Sequence, residues 1–528
     1  MATVYTPNAD ASGSLGTTKL TDAAPGLAEE HFRTDHLLQN IGHRALSGSF
    51  VTLGAQAAKF ALNFAAAAVL ARLLSPKDFG LVGMVLGVTN LVNLFKELGL
   101  STATVQRETI TQQQVSNLFW INVTFSGVLA VISVGLAPLI ARFYRNPQAA
   151  GVMLALSLTF LLTGSTVQHQ ALLTRQMRYS ALALIDVTSL TIGFTIACGL
   201  AWFGFAYWAL VAQQISYAAS TLAMTWFTSR WRPSMPRRSS GVRPMLAFGA
   251  HLTIADFVGL FSVNSDSILL GRFFGAVPVG LYTRANVLLA RPIQQVLTPM
   301  TSVMTPVLSR LQGDPERYRR SYMRAFDAFA LVVFSVAAVC FALAKPMVLF
   351  ILGPKWIDVV PLFSAFALVA VSGPISGVVT WLYESQGRGH DQLRNHTLAG
   401  AVTFVAYLLG LKWGPLGLIV SLAVVSLVVR LPLIYFLAGR RGPVSTRDLW
   451  IGFLSHLPCW AAVVLATRLA DMMVAHAAPI VQILVCGPIG LGAGVAVTLI
   501  LPRPRRTFFF AFRNIRVMLM KQRGAQAA

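Results

Sequence analysis

The chain has 528 residues, of which 55% are hydrophobic and 12% are charged, and its mean hydropathy is +0.64. A soluble protein carries about twice that charged fraction, so the composition excludes a soluble globular fold. The net charge of +23 would suggest nucleic-acid binding in a soluble protein. Here the Lys and Arg residues lie between apolar segments, as in the cytoplasmic loops of membrane proteins, and we expect no nucleic-acid partner.

Apolar runs of about 20 residues recur along the chain, and each is long enough to cross a bilayer. They predict an all-α polytopic membrane protein with about 14 transmembrane helices. The predicted limits, in chain order, are 50–71, 79–100, 116–141, 150–170, 181–203, 206–228, 246–270, 281–308, 325–344, 357–383, 397–412, 415–437, 450–473 and 479–501.

These spans divide the chain into six regions. The regions are a disordered cytoplasmic N-terminus (1–45), an N-lobe of spans 1–6 (46–229), a basic cytoplasmic linker (230–245), a C-lobe of spans 7–12 (246–438), spans 13 and 14 (449–501) and a basic amphipathic cytoplasmic tail (502–528). With both termini in the cytoplasm, about 28 of the 42 Lys and Arg residues fall in cytoplasmic segments. This excess supports the orientation and the even number of spans.

Two stretches 200 residues apart resemble each other and predict an internal repeat. They are Leu70-Ala-Arg-Leu-Leu-Ser-Pro-Lys-Asp-Phe-Gly80 and Leu270-Gly-Arg-Phe-Phe-Gly-Ala-Val-Pro-Val-Gly280. A second pair, 136–143 and 343–350, has a similar offset, so spans 1–6 correspond to spans 7–12. Because six is even, both halves have the same orientation in the membrane. Parallel repeats of this kind occur in transporters that bind substrate between their halves.

Ionisable side chains inside the membrane cluster on spans one, two, seven and eight. Each costs roughly 2.5–3.5 kcal/mol at the bilayer centre unless it faces a cavity or a partner. We interpret the cluster as a hydrated cavity whose cations hold an anionic substrate. The candidates for substrate binding are Lys59, Asn63, Lys96, Arg284 and Arg291, and those for coupling an ion are Glu97, Asp256 and Asp266.

The alternative is that these charges form ion pairs between helices, such as Lys96 with Asp266, and that residues at helix ends snorkel to the interface. The other spans carry few charges away from their ends, mainly Asp186 and Arg430. We expect Arg72 and Arg272, near span ends, to be snorkelling or turn residues. The four cysteines are isolated and no P-loop is present, so we expect no catalytic residue, no metal site and no cofactor.

Several motifs, in order along residues 50–500, resemble Wzx-type polysaccharide transporters of the multidrug/oligosaccharidyl-lipid/polysaccharide exporter superfamily. The motifs are Ala71-Arg-Leu-Leu-Ser-Pro-Lys-Asp-Phe-Gly-Leu-Val-Gly-Met-Val85, Glu97-Leu-Gly-Leu-Ser-Thr-Ala-Thr-Val-Gln-Arg107, Tyr207-Trp-Ala-Leu-Val-Ala-Gln-Gln214, Asp266-Ser-Ile-Leu-Leu-Gly-Arg-Phe-Phe-Gly275, Gly280-Leu-Tyr-Thr-Arg-Ala285 and Pro306-Val-Leu-Ser-Arg-Leu-Gln312.

The resemblance implies two six-helix lobes, a central cavity and alternating access. It also implies a flippase of the bacterial inner membrane that moves an undecaprenyl-diphosphate-linked oligosaccharide for exopolysaccharide or lipopolysaccharide biosynthesis. Expected partners are that substrate, membrane lipids, H+ or Na+ as a coupling ion, and the polymerase and export machinery of the same pathway. The alternatives are a cation-coupled multidrug antiporter of the superfamily, which would have an acidic cavity, and a membrane polymerase or ligase, which would have a large periplasmic loop.

Overall fold

The structure is a computed structural model that describes residues 41–97, 100–107, 110–237, 264–507 and 509. Most of the predicted N-terminal region and C-terminal tail, half of the linker and the first part of span seven, with Asp256, lie outside the described residues. Within the described residues the chain is almost entirely helical, so the prediction of an all-helical polytopic membrane protein is confirmed.

Between residues 41 and 229, the described part of the chain forms eight helices. They are α1 (Ile41–Leu73), α2 (Pro76–Glu97), α3 (Leu100–Gln106), α4 (Gln112–Tyr144), α5 (Gln148–Gly164), α6 (Val167–Arg175), α7 (Tyr179–Trp202) and α8 (Tyr207–Ser229).

The described part of the second half starts with helical residues 264–274, here called α9. The elements that follow are α10 (Ala276–Arg310), α11 (Pro315–Ala342), α12 (Ala344–Ile351), α13 (Val359–Val378), α14 (Thr380–Ser385), α15 (Gly389–Gly410), α16 (Gly414–Val425), a π-helical turn (Ser426–Arg430), α17 (Leu431–Gly439), α18 (Thr446–Met473) and α19 (Pro479–Ile500).

Local sequence sets where several of these helices begin. The Thr111 hydroxyl accepts a hydrogen bond from the backbone N–H of Gln114, whose side chain accepts from the backbone N–H of Thr111. Ser445 and Asp448 form the same capping box at the start of α18. Such caps satisfy backbone N–H groups that have no partner inside the helix, which stabilises the helix by about 1 kcal/mol.

Nine helical stretches in the described part of the chain are long and apolar enough to cross a membrane. One of them, Gly389–Gly439, contains a turn at Leu411–Trp413 and covers two predicted spans. The predicted spans two, six and eight are the helices α2, α8 and α10, which are not among the nine. The total of about 14 spans therefore stays a prediction.

The helices pack into two groups that meet at α2 and α10. In the first group, α7 packs against α1 and α8, and α5 packs against α2, α4 and α8. In the second, α13 packs against α10, α11 and α16, and α18 packs against α11 and α19. The contact between α2 and α10 joins helices that the predicted repeat makes equivalent, because they follow its two motif copies.

The residues after α8 form an extended strap against α4. The Trp231 side chain is buried and its Nε1 donates a hydrogen bond of 2.5 Å to Gln112 Oε1. Trp120 Nε1 donates to the Ser234 carbonyl at 2.9 Å, and the Ser234 N–H donates to Ser116 Oγ at 3.0 Å. The first part of the predicted linker is therefore fixed to the first helix group.

Candidate functional site

The two copies of the repeated motif meet where α2 and α10 cross. Gly80 and Gly280 lie at this crossing, in the first turns of the two helices. A Cβ atom at Gly80 would collide with the backbone carbonyl of Ala276, and one at Gly280 would collide with that of Pro76. Only residues without a side chain allow the backbones to approach this closely, so the two glycines bring the halves into direct backbone contact.

Two arginines reach from one half to the other beside this crossing. Arg72 Nη2 donates a hydrogen bond of 2.6 Å to the Phe350 carbonyl. The Arg272 guanidinium lies over the ring of Phe143, with Cζ 5.7 Å from the ring centroid. Arg72 corresponds to Arg272 in the predicted repeat, and Phe350 corresponds to Phe143. Each half therefore contacts the other through equivalent residues, a role that the expectation of snorkelling did not include.

Trp356 fills the space behind the crossing. It is buried, and its Nε1 donates a hydrogen bond of 2.7 Å to the Ala71 carbonyl. Its ring packs edge-on against Phe79, with 5.5 Å between the ring centroids. Together with the crossing and the arginine contacts, this packing closes the end of the molecule that holds the loops after α1, α4, α9 and α12.

Arg284 lies just inside the closed end. Its guanidinium stacks on Phe79 of the other half, with Cζ 4.4 Å from the ring centroid. Its buried Nε atom has no hydrogen-bond partner among the described residues. A desolvated cation–π contact stabilises the cation by about 2 kcal/mol but supplies no hydrogen-bond acceptor. The remaining donors of Arg284 are therefore available to an anionic ligand.

A polar stripe continues from Arg284 along α10. Its members are spaced by three, four or seven residues, which places them on one helix face. They are Arg291, Gln294, Thr298, Ser302 and Ser309, and all are exposed. Exposed polar side chains inside the membrane face water, because lipid offers them no hydrogen bonds. The stripe has the polarity and exposure that the predicted hydrated cavity requires of its wall, and neither Arg284 nor Arg291 is ion-paired with a described residue.

The candidates on α1 are already bonded within the first half. Lys59 Nζ lies 2.5 Å from Asp186 Oδ2 on α7. Asn63 Nδ2 donates a hydrogen bond of 2.8 Å to the Lys59 carbonyl, one turn earlier in the helix. An ion pair between helices thus exists, as the alternative interpretation required, but between partners that the sequence did not indicate.

Asp266 is buried inside the second half and does not face the stripe. The Tyr282 hydroxyl donates a hydrogen bond of 2.7 Å to its Oδ2, and the backbone N–H of Ser267 donates to its Oδ1. No described Lys, Arg or His forms a salt bridge with it. Tyr407 lies close to Tyr282, and the half-buried Arg430 lies close to Tyr407, so buried Asp266 ends a line of polar groups. An ionised carboxylate without a cationic partner is costly in such a place.

The structure does not locate the side chains of the remaining candidates, Lys96, Glu97 and Asp256. Lys96 and Glu97 lie in the last turn of α2, where the structure describes the backbone only, and Asp256 is outside the described residues. Sequence reasoning missed Tyr282 and Phe79 as partners of the site. Both residues lie in motifs that carry the family resemblance. Their place in those motifs could have indicated that they contact the candidate site residues.

Comparison with known proteins gives one family model and several relatives. The family model described as "Polysaccharide biosynthesis protein" matches residues 69–361. The chain is 24% identical over 400 residues to the lipopolysaccharide biosynthesis protein WzxC of Escherichia coli (strain K12), covering 74% of this chain and 81% of WzxC. It is 27% identical over 310 residues to the succinoglycan biosynthesis transport protein ExoT of Rhizobium meliloti (strain 1021), covering 58% of this chain and 63% of ExoT. The match to ExoT thus spans less than two thirds of that protein.

Two solved structures share the fold. The lipid II flippase MurJ in an inward closed conformation superposes with a TM-score of 0.68 and 13% identity, covering 87% of this chain and 99% of MurJ. An inward-facing multidrug resistance MATE family transporter of the MOP superfamily superposes with a TM-score of 0.54 and 16% identity, covering 78% of this chain and 98% of the transporter. At these identities the likeness concerns the fold alone. The family model and the match to WzxC confirm the resemblance to Wzx-type polysaccharide biosynthesis proteins.

Proposed function

The chain belongs to the polysaccharide biosynthesis protein family, and on that basis we propose that it flips an undecaprenyl-diphosphate-linked oligosaccharide across the bacterial inner membrane. The relatives are named for lipopolysaccharide and succinoglycan biosynthesis, and the fold is shared with a lipid II flippase. The reaction is transport without a covalent step, so no residue has a catalytic role and no cofactor is needed.

The observation that carries this proposal is that Arg284 and Arg291, on the wall of the proposed cavity, form no ion pair with any residue that the structure describes. Seven residues of α-helix separate Arg284 and Arg291, a rise of about 10 Å. Guanidinium groups bind phosphate oxygens through paired hydrogen bonds and remain charged at all physiological pH values. Arg284 and Arg291 therefore bind the diphosphate, while Lys59 balances Asp186 in the wall. Lys96 and Asn63 remain further candidates for the substrate.

The arrangement of the halves supports alternating access. The molecule is closed where Gly80 meets Gly280. From there the proposed cavity, lined by the polar stripe, extends towards the opposite end of α10. The first half, 46–229, and the second half, 246–438, are the two lobes that rock against each other. The linker (230–245) joins them, and residues 449–501 form two further spans. Both termini, 1–45 and 502–528, lie in the cytoplasm, so the closed end is periplasmic and substrate enters from the cytoplasmic leaflet.

Asp266 is our candidate for coupling transport to an ion gradient. Its burial without a cationic partner among the described side chains favours either a proton on the carboxyl group or a bound Na+, and the energy of that ion depends on which side of the membrane it reaches. Glu97 and Asp256 are the other candidates. Flipping in vesicles that does not respond to a proton or a sodium gradient would contradict this part of the proposal.

The antiporter alternative is less well supported by the cavity. A carrier of cationic drugs requires acidic groups on the cavity wall, whereas the stripe on α10 carries Arg284 and Arg291 and no acid. Asp186 is paired with Lys59, and Asp266 is buried away from the stripe. Glu384 accepts a hydrogen bond of 3.1 Å from Thr305 near the end of α10, more than three turns beyond Arg291. The polymerase and export machinery of the pathway are the expected partners of the flippase.

The decisive experiment measures leaflet accessibility of a fluorescent lipid-diphosphate oligosaccharide in proteoliposomes. We expect the wild type to flip the lipid and Arg291→Gln to flip it at least about tenfold more slowly, because a hydrogen bond to a charged group is worth about 1.5–3 kcal/mol. Arg291 is exposed, so this variant folds. The matched control is Arg310→Gln, an exposed arginine at the end of the same helix, which should flip at the wild-type rate.

The outcomes separate the function from the site. Flipping that survives both Arg291→Gln and the double variant with Arg284→Gln contradicts the proposed site and leaves the function intact. A wild-type protein that moves no lipid of this class contradicts the function.

A further inference from the structure

A basic pocket lies on the surface where α15 begins and α17 ends. It is lined by Tyr383, Asp391, Arg394, Leu437, Arg440 and Arg441. Three of these residues are cationic and one is acidic, so the lining carries an excess of two positive charges. The pocket lies at the end of the molecule opposite the closed crossing and does not belong to the cavity along α10.

A fourth arginine holds the pocket in shape. Arg388 Nη1 donates hydrogen bonds to the carbonyls of Arg441, at 2.7 Å, and Ala438, at 3.5 Å. Its Nε donates to Asp391 Oδ2 at 2.9 Å, and its guanidinium lies over the Tyr383 ring at 5.1 Å. Because Arg388 is largely buried, these contacts fix the loop after α17 against the start of α15. The pocket arginines therefore extend from a rigid backbone.

The positive charge of the pocket is not neutralised by the described residues. Arg394 and Arg440 are exposed, and their side chains donate no hydrogen bond and form no salt bridge within the described part of the chain. Arg441 Nη1 lies 3.8 Å from Asp391 Oδ1, but that carboxylate already accepts from Arg388. Two guanidinium groups and part of a third are thus available to an anion.

Apolar helix faces adjoin the pocket. On α15, Leu398 and Val405 follow Arg394 by four and eleven residues on the same face and are 39% and 51% exposed. On α17, Phe436 precedes Arg440 by one turn and is 56% exposed. Apolar side chains exposed on spanning helices face acyl chains. The arginines therefore lie at the depth where a lipid headgroup meets its chains.

We propose that this pocket binds the phosphate of an anionic phospholipid, whose acyl chains lie along α15 and α17. Guanidinium groups pair with phosphate oxygens through two parallel hydrogen bonds, and basic pockets between spanning helices are suited to acidic headgroups. A free phosphate ion would use the cations but not the apolar faces, so the combination favours a lipid. The site lies outside the substrate cavity and does not depend on the proposed flippase activity.

The test measures thermal unfolding of the full-length protein in detergent while phosphatidylglycerol or phosphatidylcholine is added. A ligand that binds only the folded state raises the unfolding midpoint. We expect phosphatidylglycerol to raise the midpoint of the wild type and phosphatidylcholine to have little effect. The variant Arg394→Gln with Arg440→Gln should bind phosphatidylglycerol about thirtyfold more weakly, which corresponds to about 2 kcal/mol.

The matched control removes the same charge elsewhere at the same end of the molecule. Arg320→Gln with Arg447→Gln replaces two exposed arginines outside the pocket, and we expect it to keep the wild-type response. An equal loss in the control variant contradicts the pocket, because the effect would then come from overall charge. An equal stabilisation by inorganic phosphate contradicts the lipid, and an equal response to both phospholipids contradicts the selectivity.

Discussion

At the residue scale, the ion pair of Lys59 with Asp186 allows us to test whether Lys59 stabilises the fold or binds the substrate. The two side chains are 26% and 30% exposed, so the ion pair is half-buried. We expect Lys59→Met to lower the free energy of unfolding by about 1–2 kcal/mol, because Asp186 loses its partner in a partly dry place. Thermal unfolding of the purified protein measures this change.

The charge-swapped variant provides the control for that prediction. Lys59→Asp with Asp186→Lys keeps both charges and reverses their positions. We expect it to recover most of the stability and the flipping rate, because stability requires an ion pair at these positions but not a particular order of the two charges. A variant that folds as well as the wild type but no longer flips lipid would show that Lys59 itself contacts the substrate.

These residues also mark what sequence could provide about the site. The energetic cost of placing charge inside the membrane was sufficient to identify Lys59, Arg284, Arg291 and Asp266 as candidate site residues. Their partners were not predictable, because Lys59 bonds a residue 127 positions away and Asp266 bonds Tyr282 in the next helix. Which charges face the cavity depends on helix rotation and on packing between segments distant in sequence, and periodicity does not supply either.

At the element scale, the crossing of α2 and α10 depends on two glycines. We expect Gly80→Ala to destabilise the protein by about 1–3 kcal/mol, because its methyl group would overlap the backbone of α10. Gly135→Ala on α4 is the control, since a Cβ there meets nothing within 4 Å. Alanine should raise helix stability at that position by about 0.5–1 kcal/mol. Thermal unfolding of both variants checks that the two substitutions change stability in opposite directions. A Gly80→Ala variant as stable as the wild type would contradict the close crossing.

The strap after α8 is a second element whose packing can be tested. Trp231 is 2% exposed, whereas Trp202 at the end of α7 is 78% exposed. We expect Trp231→Ala to lower the free energy of unfolding by about 3–5 kcal/mol, the usual cost of removing a buried tryptophan. Trp202→Ala should change it by less than about 0.5 kcal/mol. Equal effects of the two substitutions would contradict the docking of the strap on α4.

The elements show how far the hydropathy pattern predicts this fold. The predicted span 116–141 corresponds to α4 (Gln112–Tyr144), and the predicted break near residue 413 is the turn between α15 and α16. The span predicted at 150–170 is divided at residues 165 and 166 between α5 and α6. Hydropathy detects an apolar stretch but not a turn inside it. The π-helical turn before α17 was likewise not predictable, because it lies inside one continuous apolar stretch and hydropathy does not distinguish a π-helical turn from an α-helix.

At the scale of the whole molecule, the repeat explains how one end is closed. Each half places an arginine on a phenylalanine in the last turn of a helix of the other half, and the glycines at the crossing allow the backbones to touch. A contact built from equivalent residues closes and opens as a unit, because rotation of one half moves both arginine contacts together. Transport by rocking therefore requires that Arg72 leaves Phe350 when Arg272 leaves Phe143.

The last prediction tests this requirement by linking the halves. In a background without the four native cysteines, Arg72→Cys with Phe350→Cys is joined by a short cleavable bismaleimide. Both positions are exposed, so the reagent reaches them. We expect flipping in proteoliposomes to fall below about a tenth of the unlinked rate and to return when the linker is cleaved. The control links Lys345→Cys to Phe350→Cys within α12 and should leave the rate unchanged. Undiminished flipping by a fully linked protein would show that this end does not open during transport.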